Sequence, residues 1–335
     1  MTDKFNSKFD RYNLRKVILD YPNQLDLGYK FSTNIQLVRN NFSELVICGM
    51  GGSGLPGKFL REYLISGIKK PLSSIEICQN YQLPPSTDES SLVFVISYSG
   101  TTEETISCFQ EALKRKSTII AFASGGEIEK ISQENKVPFV RTKIDQDNFQ
   151  PRYALTYTFA AMLQILEGMG LKLRENLEFP HIDPRKLEVP GEELAQKSNG
   201  KTPVIYSSER FKILAEIWKI KVNENAKTPA FWNFFPELNH NEMLGFTNPQ
   251  SSFFVIMIKD SEDHPQIQRR IEVTAELYRE KGLEVEIVET QGVNWLEKAL
   301  HLMSLADWHS YYLAYEYNQD PTPVEMVEAL KIKLK

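Results

Sequence analysis

Strand-length runs of almost unbroken apolar character recur along this chain, each leading into a small-residue turn and an amphipathic helix. ELVICGM (Glu44–Met50) leads into GMGGSG and a helix near Leu55–Ile65, and LVFVIS (Leu92–Ser97) into SYSGTT and a helix at Glu103–Arg115. TIIAFA (Thr118–Ala123) leads into SGG and a short polar helix, with further strands at Ile75–Cys78 and Pro138–Thr142. A strand apolar on both faces must be covered on both, which calls for a parallel sheet between helix layers. Gln150–Gly170 predicts a long core helix with Pro151 in its first turn. The pattern then returns in PVIYSS (Pro203–Ser208), a helix at Phe211–Asn225, FFVIMI (Phe253–Ile258), a helix at Pro265–Lys281 and EVEIV (Glu284–Val288). A long helical region, Asn294–Tyr317, and an amphipathic helix at Val324–Leu334 close it. The predicted class is α/β: two doubly wound domains with mainly parallel sheets plus C-terminal helices. Residues 1–40 read as an N-terminal helical segment and 41–175 as a first domain with the Gly/Ser loops. The Pro-, Gly- and charge-rich stretch 176–200 reads as a linker around a short helix, and 201–335 as the second domain.

Composition excludes several classes. The 335 residues carry a net charge of −5 and show no basic arm, which argues against nucleic-acid binding. An anionic small ligand stays open, because local donors hold a phosphate whatever the global charge. No apolar run is long enough to span a bilayer, and MTDKFNSKFDRYNL lacks a signal peptide's apolar stretch, so a cytoplasmic chain is expected. Cys48, Cys78 and Cys108 are odd in number with no CxxC, and read as buried, reduced core residues. The five histidines form no HExxH pair and there is no GxSxG elbow, so a metal-free, cofactor-free mechanism is expected.

Within that frame the two loops carry chemistry. GMGGSG satisfies GxGxxG through Gly49, Gly51 and Gly54, a turn that brings backbone N–H groups close to an anion at a helix start. A dinucleotide site also wants an acid ending the second strand; here Gln79 and Asn80 stand there, against a nicotinamide dehydrogenase. SYSGTT crowds Ser97, Ser99, Thr101 and Thr102 into a strand-to-helix corner, either as phosphate donors or as a capping box before Glu103 and Glu104. Together the loops fall on the C-terminal edge of one sheet, where ligands bind. Arg152 stands at a predicted helix start, as an anion partner or a solvated side chain. Glu224 lies near a helix C-terminus, where the dipole disfavours a carboxylate, and His240 lies in an aromatic- and amide-rich loop between Asn239 and Asn241.

GMGGSG, SYSGTTEET, SGG, QPRYAL, NENAK, PELNHNE and DPTPV, in that order, resemble the bifunctional phosphoglucose/phosphomannose isomerase family, built from two sugar-isomerase (SIS) domains. The resemblance implies two SIS-type domains and an aldose–ketose isomerase. It would interconvert glucose-6-phosphate and mannose-6-phosphate with fructose-6-phosphate, as a homodimer with active sites at the subunit interface. It implies that Gly52, Ser53, Ser97, Ser99 and Thr102 hold the sugar phosphate and Arg152 stabilises an enediolate. By the same resemblance Glu224 is the base, His240 of the partner chain opens the ring, Lys331 matches a C-terminal catalytic lysine, and Thr322 governs acceptance of the mannose epimer. Tyr153 replaces the small residue common in the family, which would narrow the site. The alternative from another class is a non-catalytic phosphosugar-binding SIS protein, which needs the loops but not Arg152, Glu224 and His240 together.

Overall fold

The computed structural model describes residues 9–35, 42–67, 74–173 and 178–334, so part of the expected N-terminal segment and residues 176–177 of the expected linker lie outside the described residues. Two short helices, α1 (Leu14–Leu19) and α2 (Tyr21–Lys30), come first. The chain divides into two compact units: Asn23–Phe179, and the chain up to Pro22 together with Pro180–Lys335.

The Asn23–Phe179 unit runs β1 (Glu44–Cys48), α3 (Leu55–Gly67), β2 (Ile75–Cys78), β3 (Ser91–Ile96), α4 (Glu103–Lys114), β4 (Thr118–Ala123), α5 (Gly126–Glu134), β5 (Phe139–Arg141) and α6 (Leu155–Gly168). All neighbouring strands are parallel, in the order β2-β1-β3-β4-β5. Every residue of β1 and β3 is buried, which is why their sequences are apolar without alternation. The chain starts at β1, steps outward to β2, then reverses to β3 on the other side. The crevice between the C-terminal ends of β1 and β3 is therefore a topological switch point, the place where open α/β sheets bind ligands. GMGGSG and SYSGTT both emerge there.

The expected helix from Gln150 is interrupted. Pro151–Tyr153 forms a separate 3₁₀ turn, and α6 begins at Leu155. Gln150 precedes a proline and is held extended (φ −95°, ψ 140°), as steric crowding by the ring demands. Tyr153 and Ala154 N–H groups then bond three residues back, to Gln150 and Pro151 carbonyls.

The other unit adds α7 (Glu188–Ser198), β6 (Thr202–Ser208), α8 (Lys212–Asn225), β7 (Phe231–Phe235), β8 (Phe253–Lys259), α9 (Pro265–Glu280), β9 (Glu284–Glu289), α10 (Trp295–Glu316) and α11 (Glu325–Lys333). Its parallel sheet has the order β7-β6-β8-β9, the same start in the middle and reversal as the first. Strand β7, FWNFF, lies in the aromatic-rich stretch before His240, for which the sequence suggests no strand. It is an edge strand, exposed or half-buried along most of its length, so burial gives it no continuous apolar run, while its aromatic residues suit a pleated edge. Of the segment expected as a linker, residues 184–198 form a 3₁₀ turn and α7, which buries Leu194 and Ala195. Gly191 permits the close approach of α10: a Cβ there would stand 2.3 Å from the Cβ of Trp308. Among the described residues no helix is long and apolar enough to cross a membrane.

Candidate active site

The switch-point loops are built by small residues that let backbone touch backbone. Gly51–Ser53 forms a 3₁₀ turn directly after β1, with Gly51 in the left-handed region at φ 51°. Gly52 lies against the Pro151–Tyr153 turn: a Cβ on it would come 2.6 Å from the Arg152 nitrogen and 2.9 Å from the Pro151 carbonyl carbon. Ser53 is buried, and its Oγ accepts from the Tyr98 N–H at 3.0 Å, tying the first loop to the second. In the second loop Gly100 has φ 71°, and its closeness to the Gly125 carbonyl leaves no room for any side chain. The SGG turn closes the group: Ser124 Oγ donates to the Tyr98 carbonyl at 2.6 Å.

The hydroxyl pattern decides between a cap and a loop built for something else. Thr102 is the N-cap of α4 yet makes no side-chain capping bond. Its Oγ1 pairs with Ser97 Oγ at 2.9 Å, and Ser99 Oγ pairs with Thr101 Oγ1 at 3.1 Å. Ser97 is fully buried, whereas Ser99 and Thr101 are exposed. The capping-box alternative therefore fails at Thr102, and the exposed hydroxyls of Ser99 and Thr101 stand beside the start of α4, where first-turn N–H groups lack helical partners.

Arg152 is not solvated. Only 1% of it is exposed, with its guanidinium carbon 5.2 Å from the centre of the Tyr153 ring, itself buried. A cation this buried, on a turn pressed against Gly52, is a placed charge. The Asn23–Phe179 unit thus brings together Gly52, Ser53, Ser97, Thr102 and Arg152, with Ser99 at the rim.

Glu224, His240, Thr322 and Lys331 lie in the other unit. Glu224 is half-buried in the last turn of α8, and its neighbours are held on both sides. Asn223 Nδ2 donates to the Thr228 carbonyl at 2.9 Å, and Asn225 Nδ2 to Ser310 Oγ on α10 at 2.8 Å. Lys227 Nζ donates to the carbonyls of Glu224, Asn225 and Pro321. It supplies the cation that a helix C-terminus favours, and it joins Glu224's turn to the DPTPV segment that holds buried Thr322. Sequence reasoning named Glu224 and Thr322 but missed Lys227; its place in NENAK was the only signal.

Further along α8, Trp218 Nε1–H donates to His309 Nδ1 at 2.8 Å, which fixes the His309 proton on Nε2, donating to Ser198 Oγ at 2.8 Å. Burial holds the His309 imidazole neutral, with its pKa pushed down to about 3. Lys221 and Asp307 form a fully buried ion pair.

His240 ends the 3₁₀ turn Glu237–His240 and is exposed, with Leu238 buried as the anchor of the turn. Its acidic neighbours are engaged elsewhere. Glu237 accepts from Asn241 at 2.9 Å, and Glu242 accepts from Tyr206 and Asn233. Lys331 is exposed on α11 and pairs with Glu328 at 2.7 Å, three residues away.

One convergence was invisible in the spacing. Cys48, Cys78 and Cys108 are buried free thiols, as expected, but their sulfurs lie within 4.8 Å of one another. Among the described residues this is the group of three or more thiol, imidazole or carboxylate side chains placed to share an ion.

Comparison with known proteins gives a consistent picture. The bacterial phospho-glucose isomerase C-terminal SIS domain matches residues 187–334. The bifunctional phosphoglucose/phosphomannose isomerase of Aquifex aeolicus is 35% identical, the match covering 88% of this chain and 91% of the relative. The protein of the same name from Caldicellulosiruptor bescii is 33% identical, covering 95% and 97%. In structure, the C-terminal domain of glucosamine-fructose-6-phosphate aminotransferase from Francisella tularensis is similar at a TM-score of 0.71. That match covers 95% of this chain and 100% of the other at 12% identity, so it speaks for the fold alone. Both parallel sheets and the near full-length sequence matches agree: the chain belongs to the bifunctional phosphoglucose/phosphomannose isomerase family.

Proposed function

We propose that this chain is an aldose–ketose isomerase interconverting glucose-6-phosphate and mannose-6-phosphate with fructose-6-phosphate through an enediolate. Family membership along nearly the whole chain supports the reaction class. The observation that carries the reading is the packing of Gly52 against the turn of Arg152: it couples a phosphate-type loop at the switch point to a buried cation. Backbone N–H groups of the Gly52–Ser53 turn and of the α4 start, with Ser97, Ser99 and Thr102 hydroxyls, hold the phosphate.

The step itself is a proton transfer. Glu224 removes the proton from C2 of the open-chain aldose and the C1 carbonyl oxygen gains the charge; the O2 hydroxyl proton then passes to O1, and the same carboxyl returns its proton to C1, leaving the carbonyl at C2. The developing enediolate is stabilised by the Arg152 guanidinium, which is worth most where water is excluded. No electrons leave the sugar, so the reaction needs no redox partner. Ring opening requires a group that exchanges protons near neutral pH, for which His240 is the imidazole at hand. Its exposure suits a residue offered to the site of a partner subunit in a homodimer. Exposed Phe231 and Leu244 near that turn, and Met326, Leu330 and Ile332 on α11, favour such a partner. Thr322 is assigned to epimer acceptance and Lys331 to a supporting charge.

The rival, a phosphosugar-binding protein without catalysis, needs the two loops but not Arg152, Glu224 and His240 together. Glu224→Gln tests the choice: turnover falls by about 10²–10⁴-fold while binding of fructose-6-phosphate persists. Turnover above about a tenth of the parent value would reject Glu224 as the base.

A further inference from the structure

Three cysteines far apart in sequence meet at one point of the Asn23–Phe179 unit. Cys48 ends β1, Cys78 ends β2 directly opposite it in register, and Cys108 stands on α4. The Cys78 and Cys108 sulfurs are 3.6 Å apart, and none of the three exceeds 5% exposure. Val46, Leu83, Val95 and Phe109 belong to the same apolar cluster. The nearest polar partners are backbone: the Cys78 and Cys108 thiols donate to the Gln82 and Asn80 carbonyls, both at 3.1 Å. Among the described residues no carboxylate or imidazole joins the group.

We infer that Cys48, Cys78 and Cys108 form a three-sulfur site for a soft monovalent cation of the cuprous class. Three sulfurs arranged in a plane at about 2.3 Å from one ion stand about 4.0 Å apart. The observed separations, 3.6 Å for one pair and under 4.8 Å for all, bracket that value. A disulfide between Cys78 and Cys108 would instead have to close the gap to about 2.05 Å. Pure sulfur donors select cuprous ion, whereas zinc in a closed site takes four ligands and would find only a backbone carbonyl here.

Binding exchanges protons for the cation: two thiols release one proton each and the third donates as a neutral thiol, leaving one net negative charge in the apolar cluster. The site lies directly behind the switch-point loops, since Cys48 precedes Gly49 and Cys108 sits on the helix that SYSGTT begins. Its assignment does not depend on what those loops bind.

The test is anaerobic titration of the full chain with Cu(I) held by the chromogenic chelator bicinchoninate, followed by X-ray absorption at the copper edge. The expected result is one Cu(I) withdrawn per chain, with a shell of three sulfurs at about 2.3 Å. Cys78→Ala and Cys108→Ala, checked for folding by circular dichroism, should weaken binding by more than the roughly 10–100-fold typical of losing an outer-shell partner. No withdrawal of copper, withdrawal indifferent to both substitutions, or a shell of fewer than three sulfurs in the parent protein would each overturn the assignment. The last readout needs no variant to fold.

Discussion

Replacing Gly52 by alanine adds one methyl group against two backbone atoms that cannot rotate away. The new Cβ would stand 2.6 Å from the Arg152 nitrogen, where ordinary contact begins at 3.4 Å, so the Pro151–Tyr153 turn must retreat by about 0.8 Å (3.4 − 2.6). Overpacking of this kind costs about 1–3 kcal/mol of stability. Arg152 is carried by the turn that moves, and a displacement near 1 Å at a reacting centre costs about 10²-fold in rate. Gly52→Ala is therefore expected to fold, to unfold at lower urea concentration, and to lose about 10²-fold in kcat/KM for fructose-6-phosphate. Product glucose-6-phosphate, read through a coupled dehydrogenase, measures the second quantity, and urea melts measure the first. A variant destabilised by the stated amount whose kcat/KM stays within about 10-fold of the parent would refute the claim that this contact sets Arg152.

Other consequences follow from the α8–α10 seam. The His309 pKa is depressed from about 6.5 to about 3 by burial, so its contribution to stability is whole above pH 6.5 and drains away as pH falls toward 3. At pH 5 the unfolded imidazole is mostly protonated, which costs about 2 kcal/mol relative to pH 8 (about 1.5 units at 1.36 kcal/mol each). His309→Gln, able to keep both hydrogen bonds, should flatten the urea-derived stability by that amount across this window; parallel curves for parent and variant would contradict it. Lys221→Met strands the Asp307 carboxylate in the core without its ammonium partner and should cost about 3–5 kcal/mol, against about 0–1 for a surface pair such as Lys331–Glu328. Adding Asp307→Leu should recover most of that loss in the same denaturation assay, and no recovery would show that the pair is not the source.

Much of the fold was legible because burial writes itself into strands covered on both faces. β1 and β4 lie within the apolar runs read from the sequence, and β3, β6 and β8 match theirs to within one residue at either end. β7 escaped because an edge strand needs no continuous apolar run; the short helix expected within the linker is α7, whose mix of Pro, Gly and charge hides the burial of Gly191, Leu194, Ala195 and Ser198. The Gln150–Pro151 pair is compatible both with a helix opening at the proline and with the break before α6, so the sequence alone does not separate them. The small-residue loops at the ends of β1 and β3 were legible by their composition. The burial of Arg152 was not, because it depends on the contact between Gly52 and a turn about a hundred residues away in the chain, a tertiary fact. The meeting of Cys48, Cys78 and Cys108 has the same character: parallel register aligns the first two and α4 delivers the third, with no spacing rule to announce it.

The most direct measurement incubates the purified chain with fructose-6-phosphate and resolves the hexose phosphates over time. The account predicts that glucose-6-phosphate and mannose-6-phosphate both appear, and that Glu224→Gln slows their formation by about 10²–10⁴-fold while still binding the substrate. Failure of the parent protein to form either product, with phosphosugar binding intact, would contradict the isomerase and leave the non-catalytic sugar-phosphate binder standing.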